Sequence, residues 1–108
     1  MKVYSAYQDG CLTVYLQGEL DHHGVKGSME SIERLLDEYL PRDVALDLSG
    51  LNFMDSSGIA LIVKLHRRQR ENGGRAWVES PAEQPMRVID ASGVARMVQI
   101  AVKEGARL

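Results

Sequence analysis

Leu48-Ser49-Gly50-Leu51-Asn52-Phe53-Met54-Asp55-Ser56-Ser57-Gly58-Ile59-Ala60-Leu61-Ile62-Val63 joins a strand pattern to a helix pattern and sets two adjacent hydroxyls at the join. Just before it, Val44-Ala45-Leu46-Asp47-Leu48 alternates apolar with smaller or polar residues, a strand signature with Val44, Leu46 and Leu48 on one face. The turn-prone Ser49-Gly50 and Asn52 are expected to break the pairing. From Ile59 to Arg70 the period changes. Ile59, Ile62, Val63 and His66 recur at spacings of three and four, Leu61 and Leu65 broaden the stripe, and Lys64, Arg67, Arg68 and Glu71 take the other side. This amphipathic helix is expected to start within Asp55-Ser56-Ser57-Gly58, whose side chains suit an N-cap, and to stop at Asn72-Gly73-Gly74.

Both serines therefore fall at a helix N-terminus, where backbone N–H groups lack internal partners and the macrodipole is positive. Two readings stay open on these grounds. Asp55, Ser56 and Ser57 can be capping residues and nothing more. Alternatively, a phosphate on Ser56 would bring a charge of about −1.5 to −2 and three acceptor oxygens to the free donors, leaving the fold intact and altering whatever docks there. An esterase reading, with Ser56 as nucleophile and His22 or His23 as base, half meets the Gly-x-Ser-x-Gly elbow, because Met54 stands where the first glycine belongs. No glycine-rich run ends in Lys-Ser or Lys-Thr, so the chain has no phosphate-binding loop of that type.

Three segments in order, Gly18-Glu19-Leu20-Asp21-His22-His23, Met54-Asp55-Ser56-Ser57-Gly58 and Ala91-Ser92-Gly93-Val94, resemble the STAS domain of bacterial anti-sigma-factor antagonists. The first resembles the branch that acts on the sporulation anti-sigma F factor in particular. The resemblance runs through nearly the whole chain. It implies that Ser56 is the phosphoacceptor and Ser57 its neighbour. It implies also that Asp21, His22, His23, Asp55, Ser56, Ser57 and Gly58 meet the partner. In the implied cycle the unmodified protein binds an anti-sigma factor and frees the sigma factor. The partner is itself an ATP-dependent serine kinase that phosphorylates and releases the antagonist, and a PP2C-type phosphatase resets it. A phosphate beside Asp55 adds like charge and a desolvation cost to a surface that binding must bury. The alternative within the same fold is a STAS scaffold or sensor subunit of a larger regulatory assembly; such proteins often carry a fused sensory domain, and a chain of 108 residues favours the free antagonist. The Gly18-Glu19-Leu20-Asp21-His22-His23 segment leans toward a sporulation sigma factor, with a general stress factor as the alternative. No enzyme activity and no cofactor are expected.

Composition fits this reading. One hundred and eight residues, 44% of them hydrophobic, suit one domain over 1–108 with one core. Thirteen basic against fifteen acidic residues, net −2, give no electrostatic case for nucleic acid or an anionic membrane. Arg67, Arg68 and Arg70 read as the solvated last turns of a helix, where cations complement the dipole. No apolar run spans a membrane, Met1-Lys2-Val3-Tyr4 does not open a signal peptide, and a lone cysteine fits a reducing compartment, so a cytoplasmic protein is expected; a monomer is expected as well. Cys11 should lie on the less buried face of its strand, and neither a histidine nor a metal spacing marks it as reactive. His22-His23 as a metal site is disfavoured, because adjacent histidines should point apart.

The remaining elements follow. Val3 to Gln8 and Cys11 to Gln17 flank Asp9-Gly10 as a hairpin. Asp21 can cap a helix carrying Val25, Met29, Ile32, Leu35, Leu36 and Tyr39 at helical spacing, weakened early by Gly24 and Gly27 and ended by Pro41. Gly74 to Val78 reads as a strand, Pro81 to Ser92 as a helix entered through prolines, and Met97 to Ile100 as the last strand. Strands alternating with helices predict an α/β fold: one mixed sheet of about five strands packed by helices, in the order β-β-α-β-α-β-α-β with right-handed crossovers. The resemblance implies the same STAS fold, usually closed by a further helix; with only Ala101 to Leu108 left, that final helix is expected to be short or absent.

Overall fold

The computed structural model describes residues 1–102. In chain order its elements are β1 (Lys2–Gln8), β2 (Cys11–Leu20), α1 (Val25–Tyr39), β3 (Asp43–Met54), α2 (Ser56–Glu71), β4 (Arg75–Glu79), α3 (Glu83–Ser92), a 3-10 turn (Val94–Arg96) and β5 (Ile100–Ala101). The strands form one sheet in the order β1-β2-β3-β4-β5. The β1–β2 pair is antiparallel and the other three pairs are parallel. This is the mixed five-strand α/β sheet expected from the alternation. The question of a final helix falls outside the described residues from position 103 on.

Each parallel crossover moves one place along the sheet in the same direction, and the right-handed rule then puts all three helices on one face. Burial agrees. In β2, Leu12, Val14 and Leu16 are buried while Cys11, Thr13 and Tyr15 on the other face are half-buried. The core gathers Leu12, Val14 and Leu16 with Ile32 and Leu36 of α1, Leu61, Ile62 and Leu65 of α2, and Ile89 of α3. Removing that apolar surface from water is the main drive for the layer to form.

Several boundaries differ from the sequence expectation. β3 does not break at Ser49-Gly50 but runs on to Met54, and β2 likewise continues past its expected end at Gln17 to Leu20. The turn-prone residues serve as irregularities inside the ladder, with register shifts between Tyr15 and Gln17 and between Gly18 and Glu19. Gly18 sits at φ +110°, a conformation that favours glycine, and a Cβ at Gly50 would lie 2.9 Å from Gln17 Cγ, so Gly50 lets β3 lie close to β2. Nor does β3 have one buried face. All of Asp43 to Leu48 is buried, because β3 is the central strand, covered by helices on one side and flanked on the other by the side chains of β2 and β4.

The buried stripe of α2 is Gly58, Leu61, Ile62, Leu65 and Gln69, so Ile59, Val63 and His66 lie at its flank instead of its centre. Arg68 is not part of a solvated face: it donates to Asp37 at 2.7 Å and pairs with Glu33 at 3.6 Å, fastening α2 to α1. The last strand begins at Ile100, not Met97. Amides of Met97 and Val98 are spent on Val94 O in the 3-10 turn, so pairing with β4 resumes only at Gln99 O, which accepts from Val78 N. The helix expected from Pro81 starts at Glu83, with Pro85 in its first turn, where a missing N–H costs nothing.

Candidate functional site

The sheet's last β2–β3 pair is Leu20 with Met54, and the chain leaves both strands at an aspartate, Asp21 after β2 and Asp55 after β3. Asp55 N still donates to Leu20 O at 3.2 Å, so the two exits are held one strand spacing apart. The Asp21 segment and the Ser56 segment thus form one surface at the carboxyl ends of parallel strands, the end of such sheets where ligand-binding loops collect.

Asp55 is the N-cap of α2. Its backbone is extended, its Oδ1 accepts from Ser57 N at 2.8 Å, and its carbonyl accepts from Gly58 N at 3.0 Å. Beneath the first turn lies Met54, fully buried, and Gly58 rests on it: a Cβ at Gly58 would overlap Met54 Cγ and Sδ and stand 3.2 Å from Leu20 Cδ2. The glycine thus lets the helix start sit on the strand end. Ser56, the first helical residue, is exposed, and among the described residues no hydrogen bond engages its hydroxyl. Ser57 turns further inward and is half-buried.

Because Asp55 already takes the Ser57 and Gly58 amides, the helix start offers fewer free donors than the cap position alone suggests. A phosphate on Ser56 would meet the field of the dipole but also the Asp55 carboxylate, and the exposed hydroxyl would direct it toward solvent.

Asp21 does not cap α1 directly. Gly24 is the N-cap residue, without a side-chain bond. Asp21 instead organises the turn before the helix: Oδ1 accepts from His23 N and Gly24 N at 3.0 Å each, and its carbonyl accepts from Gly24 N and Val25 N. The turn over residues 22–24 separates Asp21 from the helix, and Gly24, already helical in φ and ψ, has no side chain to cap it. The Gly24 amide bond chiefly, opposed by some burial and aided by His23 N and the two histidines, holds the Asp21 carboxyl below its ordinary value. The rings of His22 and His23 do not point apart but pack on each other, centroids 4.0 Å apart at 37°. Among the described residues, no group of three or more His, Cys, Asp or Glu is arranged to hold a metal ion, and no hydrogen bond joins Ser56 to either histidine.

Cys11 lies at the opposite end of β2, half-buried. Burial and then the charges of Asp43 and Glu79 push its thiol up, which opposes thiolate formation and so a reactive role.

Two features escaped the sequence pattern. Phe53 is 40% exposed beside the site, an aromatic on the surface without any local periodic signal. Gln84, thirty positions on, hydrogen-bonds both backbone groups of Met54. Nothing in the residues around Gln84 announces this, since the contact exists only once α3 lies beside β3.

A family model described as the STAS domain matches residues 5–106. An anti-sigma F factor antagonist from Paenibacillus polymyxa is 30% identical over 104 residues, 93% of this chain and 86% of that protein. Among solved structures, the anti-sigma factor antagonist SpoIIAA in its unphosphorylated form superposes with a TM-score of 0.78 at 25% identity, covering 97% of this chain and 92% of that one. The Bacillus cell fate determinant SpoIIAA in its phosphorylated form gives a TM-score of 0.70 at 25% identity, over 97% and 96%. No helix among the described residues is long and apolar enough to cross a membrane.

Proposed function

The chain belongs to the STAS domain family, and from that premise we propose that it is an anti-sigma-factor antagonist switched by phosphorylation of Ser56. Unmodified, it binds an anti-sigma factor through the surface formed by Asp21, His22, His23, Asp55, Ser56, Ser57 and Gly58, and so frees the sigma factor. The partner is a serine kinase that carries its own ATP, and a PP2C-type phosphatase restores the unmodified form. The observation that carries this reading is the exposed, unengaged hydroxyl of Ser56 at the start of α2, one strand spacing from the Asp21 turn. The Paenibacillus relative supports an anti-sigma F factor as the partner. That SpoIIAA has been solved in both phosphorylated and unphosphorylated forms supports a two-state switch on this fold.

Opposition between modification and binding follows from local charge. A phosphate at Ser56 lies next to the Asp55 carboxylate, and burying both under a partner removes them from the water that screens their repulsion. The chain then acts as a binding module that is itself modified.

The test is to incubate the protein with an anti-sigma F factor and ATP and to map phosphate by mass spectrometry in wild type and Ser56→Ala. Phosphate on Ser56 in the wild type, and none in the variant, is expected; phosphate on Ser57 alone, or none in either, overturns the reading. Ser56→Asp is expected to weaken binding to the anti-sigma factor about tenfold or more, about 1.4 kcal/mol, with an unchanged circular dichroism spectrum. Unchanged affinity would favour a permanent scaffold.

A further inference from the structure

β3 outruns its neighbour. The β3–β4 ladder pairs Asp43 to Asp47 with Arg75 to Glu79 and stops, so from Leu48 to Met54 the strand has no partner strand on that side. A strand edge left this way exposes backbone donors and acceptors that must find other partners. α3 packs against β3 at this gap, and in its first turn Gln84 lays its side-chain amide against the final strand residue. Met54 N donates to Gln84 Oε1 at 2.8 Å, and Gln84 Nε2 donates to Met54 O at 3.1 Å. A primary amide has the same donor and acceptor pair as a peptide group, so Gln84 completes the ladder as one residue of a missing strand would.

The position of Met54 governs the site. Its side chain is the floor on which Gly58 rests, and its carbonyl leads directly into the N-cap, Asp55. Asp55 N is held from the β2 side by Leu20 O, while Met54 is held from the opposite side by Gln84. The strand end is gripped across its width, and Ser56 follows two residues later.

We propose that Gln84 is a positioning residue for Ser56: through Met54 it fixes the start of α2 and with it the angle at which the hydroxyl is offered to the kinase. This inference rests on the reading of Ser56 as the phosphoacceptor. Gln84 touches neither the hydroxyl nor the nucleotide, so its loss shows as misplacement of the substrate residue and not as loss of a reacting group.

Two measurements on Gln84→Met, which keeps the length of the side chain and its apolar packing but neither hydrogen bond, test this. Hydrogen exchange at the Met54 amide is expected to quicken about tenfold, with core amides such as Val14 and Leu46 unchanged. Phosphorylation of Ser56 by an anti-sigma F factor and ATP is expected to lose about tenfold in kcat/KM. Gln84→Glu, which retains the acceptor for Met54 N but sets a carboxylate against Met54 O, should fall between; it carries the same test if Gln84→Met does not fold. Wild-type kcat/KM in the variants sinks the inference, whether or not the Met54 amide exchanges faster. Absence of phosphate on the wild type sinks the functional reading and this inference with it, so the two failures are told apart.

Discussion

At its first residue β3 is enclosed by its own protein. Gly10 O accepts from both Arg42 N and Asp43 N, Gln69 Nε2 donates to Pro41 O and Arg42 O at 3.3 Å each, and Gly74 N donates to Gln69 O at 2.7 Å. Asp43, 5% exposed, takes Arg42 at 3.2 Å and Arg75 at 3.4 Å, and Arg75 lies over the ring of Trp77. At its last residue the same strand is gripped by Gln84 from behind, and ahead of it Ser56, His22 and His23 are exposed while the Asp55 and Asp21 carboxylates cap their own turns. A glutamine amide holds the backbone at both ends. One end spends its polar groups on the strand itself and is assigned to stability; the other, the proposed recognition end, keeps the Ser56 hydroxyl unengaged.

The sharpest way to break that contrast is at Gly74. A Cβ there would overlap Arg42 O, a backbone atom that cannot swing away, and would stand 3.1 Å from Gln69 Nε2. Gly74→Ala is expected to cost about 3 kcal/mol, read as a lower urea midpoint at unchanged slope. Gly58→Ala, at the proposed recognition end, meets instead the buried side chain of Met54, which can yield more readily than backbone, and an alanine is the better helix former; about 2 kcal/mol is expected. The reverse order of the two losses would refute the assignment of stability to the amino ends of the strands.

The recognition end was the more legible of the two. The switch from period two to period 3.6, the aspartate cap and the Asn72-Gly73-Gly74 stop all lie within a few residues of the helix they describe, so α2 starts and stops where the pattern says. The adjacency of Asp21 and Asp55 was legible too, because both follow strands that a crossover makes neighbours. What local pattern could not carry was non-local. Ser49-Gly50 and Asn52 look like a turn and are a strand, because Gly50 lets β3 approach Gln17. Asp47 looks like the polar side of an alternation and is buried, because β3 is central. Gln69 and Gln84 look like ordinary helix residues until the strands they clamp arrive.

Asp55 tests the recognition end directly, with a smaller effect. Asp55→Ala removes the acceptor for Ser57 N and is expected to cost about 1 kcal/mol, a fall of about 4–8 °C in Tm for a domain of this size. Asp55→Asn keeps a side-chain oxygen for the same amide and is expected to remain within about 0.5 kcal/mol of wild type. The asparagine variant therefore removes the charge beside Ser56 without removing the cap. If like charge opposes binding of the phosphorylated form, Asp55→Asn should narrow the affinity difference between phosphorylated and unmodified protein.

Acidification reads both ends at once and is expected to move least. Burial alone would raise the Asp43 carboxyl, but the hydrogen bonds and charges of Arg75 and Arg42 outweigh it, so the carboxyl lies below its ordinary value, as Asp21 does through its amide bonds. A carboxyl depressed by folding binds fewer protons in the native state than in the unfolded one. Its stabilisation is therefore complete above the ordinary aspartate value of about 3.9 and is lost as pH falls through the lower, folded value. Stability measured by urea unfolding should thus decline with pH below about 4. Asp43→Asn should flatten more of that decline than Asp21→Asn, because Asp43 is buried between two arginines whereas the Asp21 turn is open to water that screens it. A steeper flattening from Asp21→Asn would mean that the recognition end, and not the enclosed one, holds the charge on which the fold depends.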